Sequence, residues 1–280
     1  MKKLIYLLLL LAVAEVKAQE SVTFKMKYAP GRNYNGTMQM NMDCKAALSG
    51  DSQVIEKLSQ QGITQPISFS MDMKMAGVTQ TGPADVNNTF PLTMNYKIDQ
   101  IGANLNGNAI PMPANTAGDI KVYGHVGPDG KLKADSANTG KLKDTSEQKI
   151  SKIMNAFQNL VKFPDKPMHV GETFTQDMPL NLPMAGNNMA ANSKAVYKLV
   201  SIADGNAYFD VTQSMDMSIP VKGSMIKLEG NGAGKMVYDL KNSFPTDFTT
   251  KMDLKINGKI DTLQIDATAM LNMEYKTIIN

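Results

Sequence analysis

Between Met38 and Cys44 the chain alternates strictly. Met38, Met40, Met42 and Cys44 are apolar; Gln39, Asn41 and Asp43 are polar. The pattern returns in Met71-Asp72-Met73-Lys74-Met75 and in Met215-Asp216-Met217-Ser218-Ile219. A period of two predicts half-buried β-strands, with one face on a core or cavity and the other in water. Val22, Phe24, Met26 and Tyr28 predict a first strand, ended by a turn at Pro30-Gly31. Ile67 and Phe69 extend the second methionine strip, and Leu92, Met94, Tyr96 and Ile98 repeat the alternation.

Turn residues divide these runs into hairpins. Pro128-Asp129-Gly130 joins the strand around Ile120 and Val122 to one returning through Leu132. Asp204-Gly205-Asn206 joins Val196–Ile202 to Ala207–Val221, and Asn257-Gly258 predicts a last hairpin between Phe248–Ile256 and Ile260–Tyr275. Gly230-Asn231-Gly232-Ala233-Gly234 reads as a flexible crossover or bulge, and Asn106 to Gly118 as a loop. Two stretches carry helical spacing. Ser49 to Gln61 places Val54, Ile55 and Leu58 on one face, with Gly62 to end it. Mid-chain, Thr145 and Gln148 form a capping box, and Ile150, Ile153, Met154, Phe157, Leu160 and Val161 form one apolar stripe closed by Phe163-Pro164.

The fold class expected is mainly β: curved antiparallel sheets, as a half-barrel or two lobes, with one packed amphipathic helix mid-chain. The organisation expected is a signal peptide over 1–18, a β-rich half over 19–162 ending in that helix, and an antiparallel β half over 163–280. Tyr96-Lys97-Ile98-Asp99-Gln100-Ile101 faintly echoes Tyr197-Lys198-Leu199-Val200-Ser201-Ile202. The methionine strands stand in opposite order around the two segments, which argues against a simple duplication.

The signal peptide rests on Lys2 and Lys3, the apolar run Leu4 to Ala14, and the small-residue site ending at Ala18. That run is too short to span a bilayer, which takes roughly 20 residues. Gln19, not Cys, follows the expected cut, so a lipoprotein signal is absent. The formal charge of +3 falls to about +1 once Lys2, Lys3, Lys17 and Glu15 are removed. No basic block survives, so a nucleic-acid partner is not expected. The single cysteine, Cys44, excludes an intramolecular disulfide. The expectation is an exported protein of the periplasm or exterior with no transmembrane segment in the mature chain.

Twenty-two methionines are the unusual feature of the composition. As core packing, Met fills irregular gaps; as a cavity wall, it adapts to varied apolar shapes. The second use makes Met38, Met40, Met42, Met71, Met73, Met75, Met215 and Met217 the candidate ligand-binding set, for a lipid or other apolar small molecule. The alternative is a structural or interaction protein of the envelope, with a filled core and a protein partner. Thioether and thiolate ligands also suit Cu(I). But inward neighbours on one strand stand about 6.7 Å apart, too wide to share an ion easily.

No catalytic signature is present: no nucleophile elbow, no phosphate loop and no compact metal-ligand spacing. His125 and His169 are the only histidines and sit beside turn residues. Neither a catalytic residue nor a cofactor or metal is expected. Asp135-Ser136-Ala137 and Asp261-Thr262-Leu263 match a short bacterial O-glycosylation pattern at Ser136 and Thr262.

Three segments resemble a family of uncharacterised, exported, β-rich Bacteroidota proteins: Phe163-Pro-Asp-Lys-Pro-Met-His-Val-Gly-Glu-Thr-Phe174, Tyr197–Ile202 and Gly232-Ala-Gly-Lys-Met-Val-Tyr-Asp-Leu240. That resemblance implies no active site. The strand-rich layout is also similar, at the level of fold, to periplasmic lipoprotein carriers with a half-open barrel.

Overall fold

A computed structural model describes residues 21–111, 119–138, 161–184, 187–221 and 224–280. Fourteen strands and one helix are described. The strands are β1 (Ser21–Val22), β2 (Asn33–Gly50), β3 (Ile67–Thr81), β4 (Phe90–Leu105), β5 (Asn108–Ala109), β6 (Asp119–Val126) and β7 (Leu132–Asn138) in the first half. They continue as β8 (Met168–His169), β9 (Thr173–Met184), β10 (Asn187–Ala203), β11 (Asn206–Val221), β12 (Ser224–Asp239), β13 (Phe244–Ile260) and β14 (Leu263–Ile279). The helix, α1, spans Ser52–Gln60, where the spacing of Val54, Ile55 and Leu58 places it. Asp51 caps it by accepting from the backbone N–H groups of Gln53 and Val54. The helix expected over 145–161 lies outside the described residues, apart from Val161, which is buried.

The long strands form one antiparallel sheet in the order β7-β6-β4-β3-β2-β14-β13-β12-β11-β10-β9, with β5 against β4. It is a meander in which β2 and β14, from opposite ends of the chain, meet in the middle. The sheet does not close on itself: β7 and β9 are its edges. The 18 residues of β2 extend for about 60 Å at the usual strand rise. Alternation puts every methionine strip on one face.

The apolar face changes character along the strands. At the base it carries large rings and is buried. Phe209, Met236, Tyr238, Tyr197 and Leu199 form the core of one wing. Phe90, Leu92, Met94, Val122, Val126 and Leu132 form the core of the other. Further up it carries small residues, including Gly230, Gly232, Gly234, Ala267 and Ala269, and a third cluster gathers around Met252 and Leu254. A Cβ at Gly232 would stand 2.5 Å from Met252 Cγ, so this glycine permits the close approach of β13 side chains to β12.

Three expectations are corrected here. Residues 23–30 form no ladder beyond β1, which pairs with β8. They run instead as an extended strap across the apolar face. Gly230–Gly234 is no crossover but the interior of β12. Asn257-Gly258 is no turn but part of β13, which reverses at Asp261-Thr262. Gly258 has its Cα-facing space filled by Ile226, 2.8 Å from where a Cβ would stand; the glycine serves packing, and Asp261 takes the left-handed turn conformation (φ 53°). The turns expected at Asp129-Gly130 and Asp204-Gly205 are present, with positive φ at Gly130, Asp204 and Gly205.

Candidate functional site

The site is built at the base of the sheet, where the strap meets the two wings. Its floor is a pair of glycines, Gly36 on β2 and Gly77 on β3, directly opposite in register. With no side chain there, the floor lies at backbone level. The ring of Tyr96, from β4, leans over Gly77. The ring of Tyr275, from β14, lies beside Gly36. Tyr197 and Phe248 enclose it from the far wing, and Tyr28, Tyr34 and Phe244 from the strap side. The result is a cavity of about 250 Å³. Ligand pockets commonly run from about 300 to 1,000 Å³, so this one suits a small or narrow ligand.

The strap supplies one wall. Phe24 is buried among Phe163, Phe209 and Tyr238, with ring centroids 5.1–5.5 Å apart. Tyr28 packs on Tyr34 and Phe244. Met26, between them, lines the cavity. Main-chain bonds hold the strap on both sides. Tyr238 Oη donates to the Lys25 carbonyl (2.7 Å), and the Lys27 N–H donates to the Ser243 carbonyl (3.0 Å). The Ala29 N–H donates to Tyr34 Oη (2.7 Å), and Thr81 Oγ1 donates to the Ala29 carbonyl (2.7 Å).

The lining is neutral. Burial pushes the phenols of Tyr96 and Tyr197 up to about 12, and those of Tyr28 and Tyr275 upward as well. Thr79 beside both phenols offsets part of that rise at Tyr28 and Tyr96, and Tyr96 Oη donates to Met94 Sδ at 3.7 Å. Thr277 donates to Tyr275 Oη, and Thr250 donates to Gln213 Oε1 at 2.7 Å.

The methionines fall into place around this cavity. Met38 faces Met75, Met40 faces Met73 and Met42 faces Met71 across β2 and β3. Met40 also faces Met273 of β14. Met38, Met75 and Met273 line the cavity; Met40 and Met73 form the next row up the face. Met42 and Met215 pack on opposite sides of the Met252, Leu254 and Ala269 cluster. Met217 pairs with Leu228, still further up β11. So the first six candidates form one patch, with Met215 joined to it through the third cluster and Met217 apart.

The candidate ligand-binding set holds only methionines, yet five of the nine tyrosines line the cavity, two of them, Tyr28 and Tyr96, from the alternating runs. The signal was the echo of Tyr96–Ile101 in Tyr197–Ile202. Both tyrosines point into the cavity, from opposite wings. Each segment also carries a β-bulge at the same step: Asp99 has no register partner on β3, and Val200 has none on β11. A bulge bends and twists its strand, and here it follows the inward tyrosine by three residues in both wings.

The histidines lie apart from the site. His125 Nδ1 is 3.0 Å from Asp135, and His169 Nδ1 is 3.6 Å from Glu172; both pairs are largely exposed. No group of three or more His, Cys, Asp or Glu among the described residues is arranged to hold a metal ion. No helix among them is long and apolar enough to cross a membrane.

Residues 131–245 match DUF6263, a family of unknown function. All three segments that carry the resemblance described above fall inside that range. No curated protein matches the chain. Solved structures share only distant likeness. A bacterial polysaccharide outer-membrane secretin aligns at 7% identity over 86% of this chain and 98% of its own, with a TM-score of 0.30. The β domain of the Bordetella autotransporter BrkA aligns at 7% identity over 87% and 99%, with a TM-score of 0.18. A Bacteroides fragilis protein described as exported, with a YmcC-like fold, aligns at 8% identity over 89% and 98%, with a TM-score of 0.14.

Proposed function

We propose that this chain is an exported, non-catalytic binding protein of the cell envelope that holds an apolar ligand at the base of its sheet. The observation that carries this reading is the cavity between the glycine floor and the strap. A backbone-level floor is unusual inside a core, where side chains normally fill such space at crystal-like density. Here Gly36 and Gly77 let the rings of Tyr275 and Tyr96 settle at backbone level, and the cavity lies between these rings, the strap and the thioethers. The Met40–Met73 and Met42–Met71 rows extend the same apolar face upward, and flexible thioethers adapt to ligands of different shape. A lipid chain lodged in the cavity and lying along these rows fits this surface.

The test is titration with the uncharged fluorophore N-phenyl-1-naphthylamine. Wild-type protein gives a saturable fluorescence increase that a long-chain alcohol reverses. Met75→Trp, which fills the cavity from β3, abolishes it while keeping the circular dichroism of the wild type. Equal binding by the two proteins, or no saturable signal, contradicts the reading.

A further inference from the structure

We infer, resting on the ligand-binding reading above, that the cavity selects uncharged ligands: an alkyl alcohol, ester or hydrocarbon chain enters, and a fatty acid enters only in its protonated form. The lining carries no Asp, Glu, Lys, Arg or His among the described residues. Lys25, Lys27, Lys74, Lys97, Lys162, Lys198 and Lys276 each adjoin a lining residue, but all are on the exposed side, and Arg32, whose charge reaches the Tyr34 phenol, is exposed and outside the lining. An ionised head drawn into the cavity would therefore meet no counter-ion in the lining.

The wall's polar groups are few and all neutral. Thr277 donates to Tyr275 Oη and Thr250 to Gln213 Oε1, while Thr37, Thr79 and the phenol of Tyr197 add hydroxyls but no charge. Moving a charge from water into such a site, with no ion pair to receive it, is far more costly than moving a hydroxyl or ester. A carboxylic acid avoids that cost by binding its proton first.

The phenols do not change this at any ordinary pH. Their ionisation is pushed upward by burial, so the wall gains no negative charge where fatty acids titrate. The pH dependence of binding belongs to the ligand, not to the protein.

The experiment is calorimetric titration of the full exported chain with decanol and with decanoic acid, at about pH 4 and about pH 8. A free carboxyl group titrates near 4–5 in water, so the acid is largely neutral at the first pH and ionised at the second. The result expected is decanol binding of equal strength at both pH values, with decanoic acid weakened at least ten-fold at the higher pH. Equal binding of decanol and decanoate at about pH 8 overturns the selectivity and leaves the cavity reading standing. Failure of both ligands at both pH values overturns the ligand-binding reading itself, and this inference with it.

Discussion

Gly36 and Gly77 are register partners across β2 and β3, yet a methyl group added to each would meet different surroundings. At Gly77 a Cβ would stand 2.5 Å from Cδ1 of the Tyr96 ring; at Gly36 the nearest atom, on Tyr275, is 3.6 Å away. The first distance forces movement, and the second is ordinary contact.

Gly77→Ala therefore pushes Tyr96 off the floor, with the cost of about 1–3 kcal/mol typical of an overpacked core. Gly36→Ala is tolerated, and restricting the unfolded chain can make it more stable by about 0.4–1 kcal/mol. Urea denaturation of the two variants checks the contrast. Equal effects would show that the rings over the floor are not placed as described.

The strap depends on Tyr238. Its hydroxyl donates to the Lys25 carbonyl and accepts from the Lys25 N–H (3.3 Å), and its ring packs on Phe24 at 5.1 Å. Tyr238→Phe keeps the ring and removes both bonds, for an expected loss of about 1–3 kcal/mol. Hydrogen exchange should quicken in residues 23–29 more than in β12 itself. Uniform acceleration across the sheet would contradict a local role.

Phe24 is the strap's anchor in the core and is 1% exposed. Phe24→Ala is expected to cost about 3–5 kcal/mol, the range for truncating a buried ring. Tyr123→Ala, at a site 42% exposed on β6, should stay within about 0.5 kcal/mol. Thermal unfolding of the pair measures the difference.

Alkaline pH should unfold the protein through its tyrosines. Tyr197 is 1% exposed, and its phenol is raised from 10.0 to about 12. A group held neutral by folding stabilises nothing below the unfolded value. Above it, the unfolded chain loses protons that the folded chain keeps, so stability falls as pH rises from about 10 to 12. The full shift at Tyr197 corresponds to about 2–3 kcal/mol. The melting temperature should be flat from neutral pH to about 9 and then drop, with phenolate absorbance rising in two stages. A single transition at the unperturbed value would contradict the burial of these rings.

Much of this architecture is legible in the alternation. The strips Met38–Met42 and Met71–Met75 are neighbours in register, as two runs with the same face and period allow. The turn at Asp204-Gly205 lies where the residues place it. Glycine misleads elsewhere, because it serves two purposes. At Asp204-Gly205 it takes a positive φ; at Gly258, Gly232 and Gly77 it sits mid-strand to admit a neighbouring atom. Only the partner strand distinguishes these uses, and the partner is remote in sequence. The strap was hidden for a related reason: Phe24, Met26 and Tyr28 alternate like a strand but bury their rings across the sheet rather than beside it. The cavity's tyrosines come from strands of both halves, so no local window contains them together.

Native mass spectrometry of the mature chain, purified from its own envelope and followed by solvent extraction, decides whether the cavity carries a ligand. The expected result is a mass above that of the bare chain, one extracted uncharged lipid or alkyl compound in stoichiometric amount, and its loss in Met75→Trp. A bare mass that does not shift when long-chain alcohols or neutral lipids are added would contradict it.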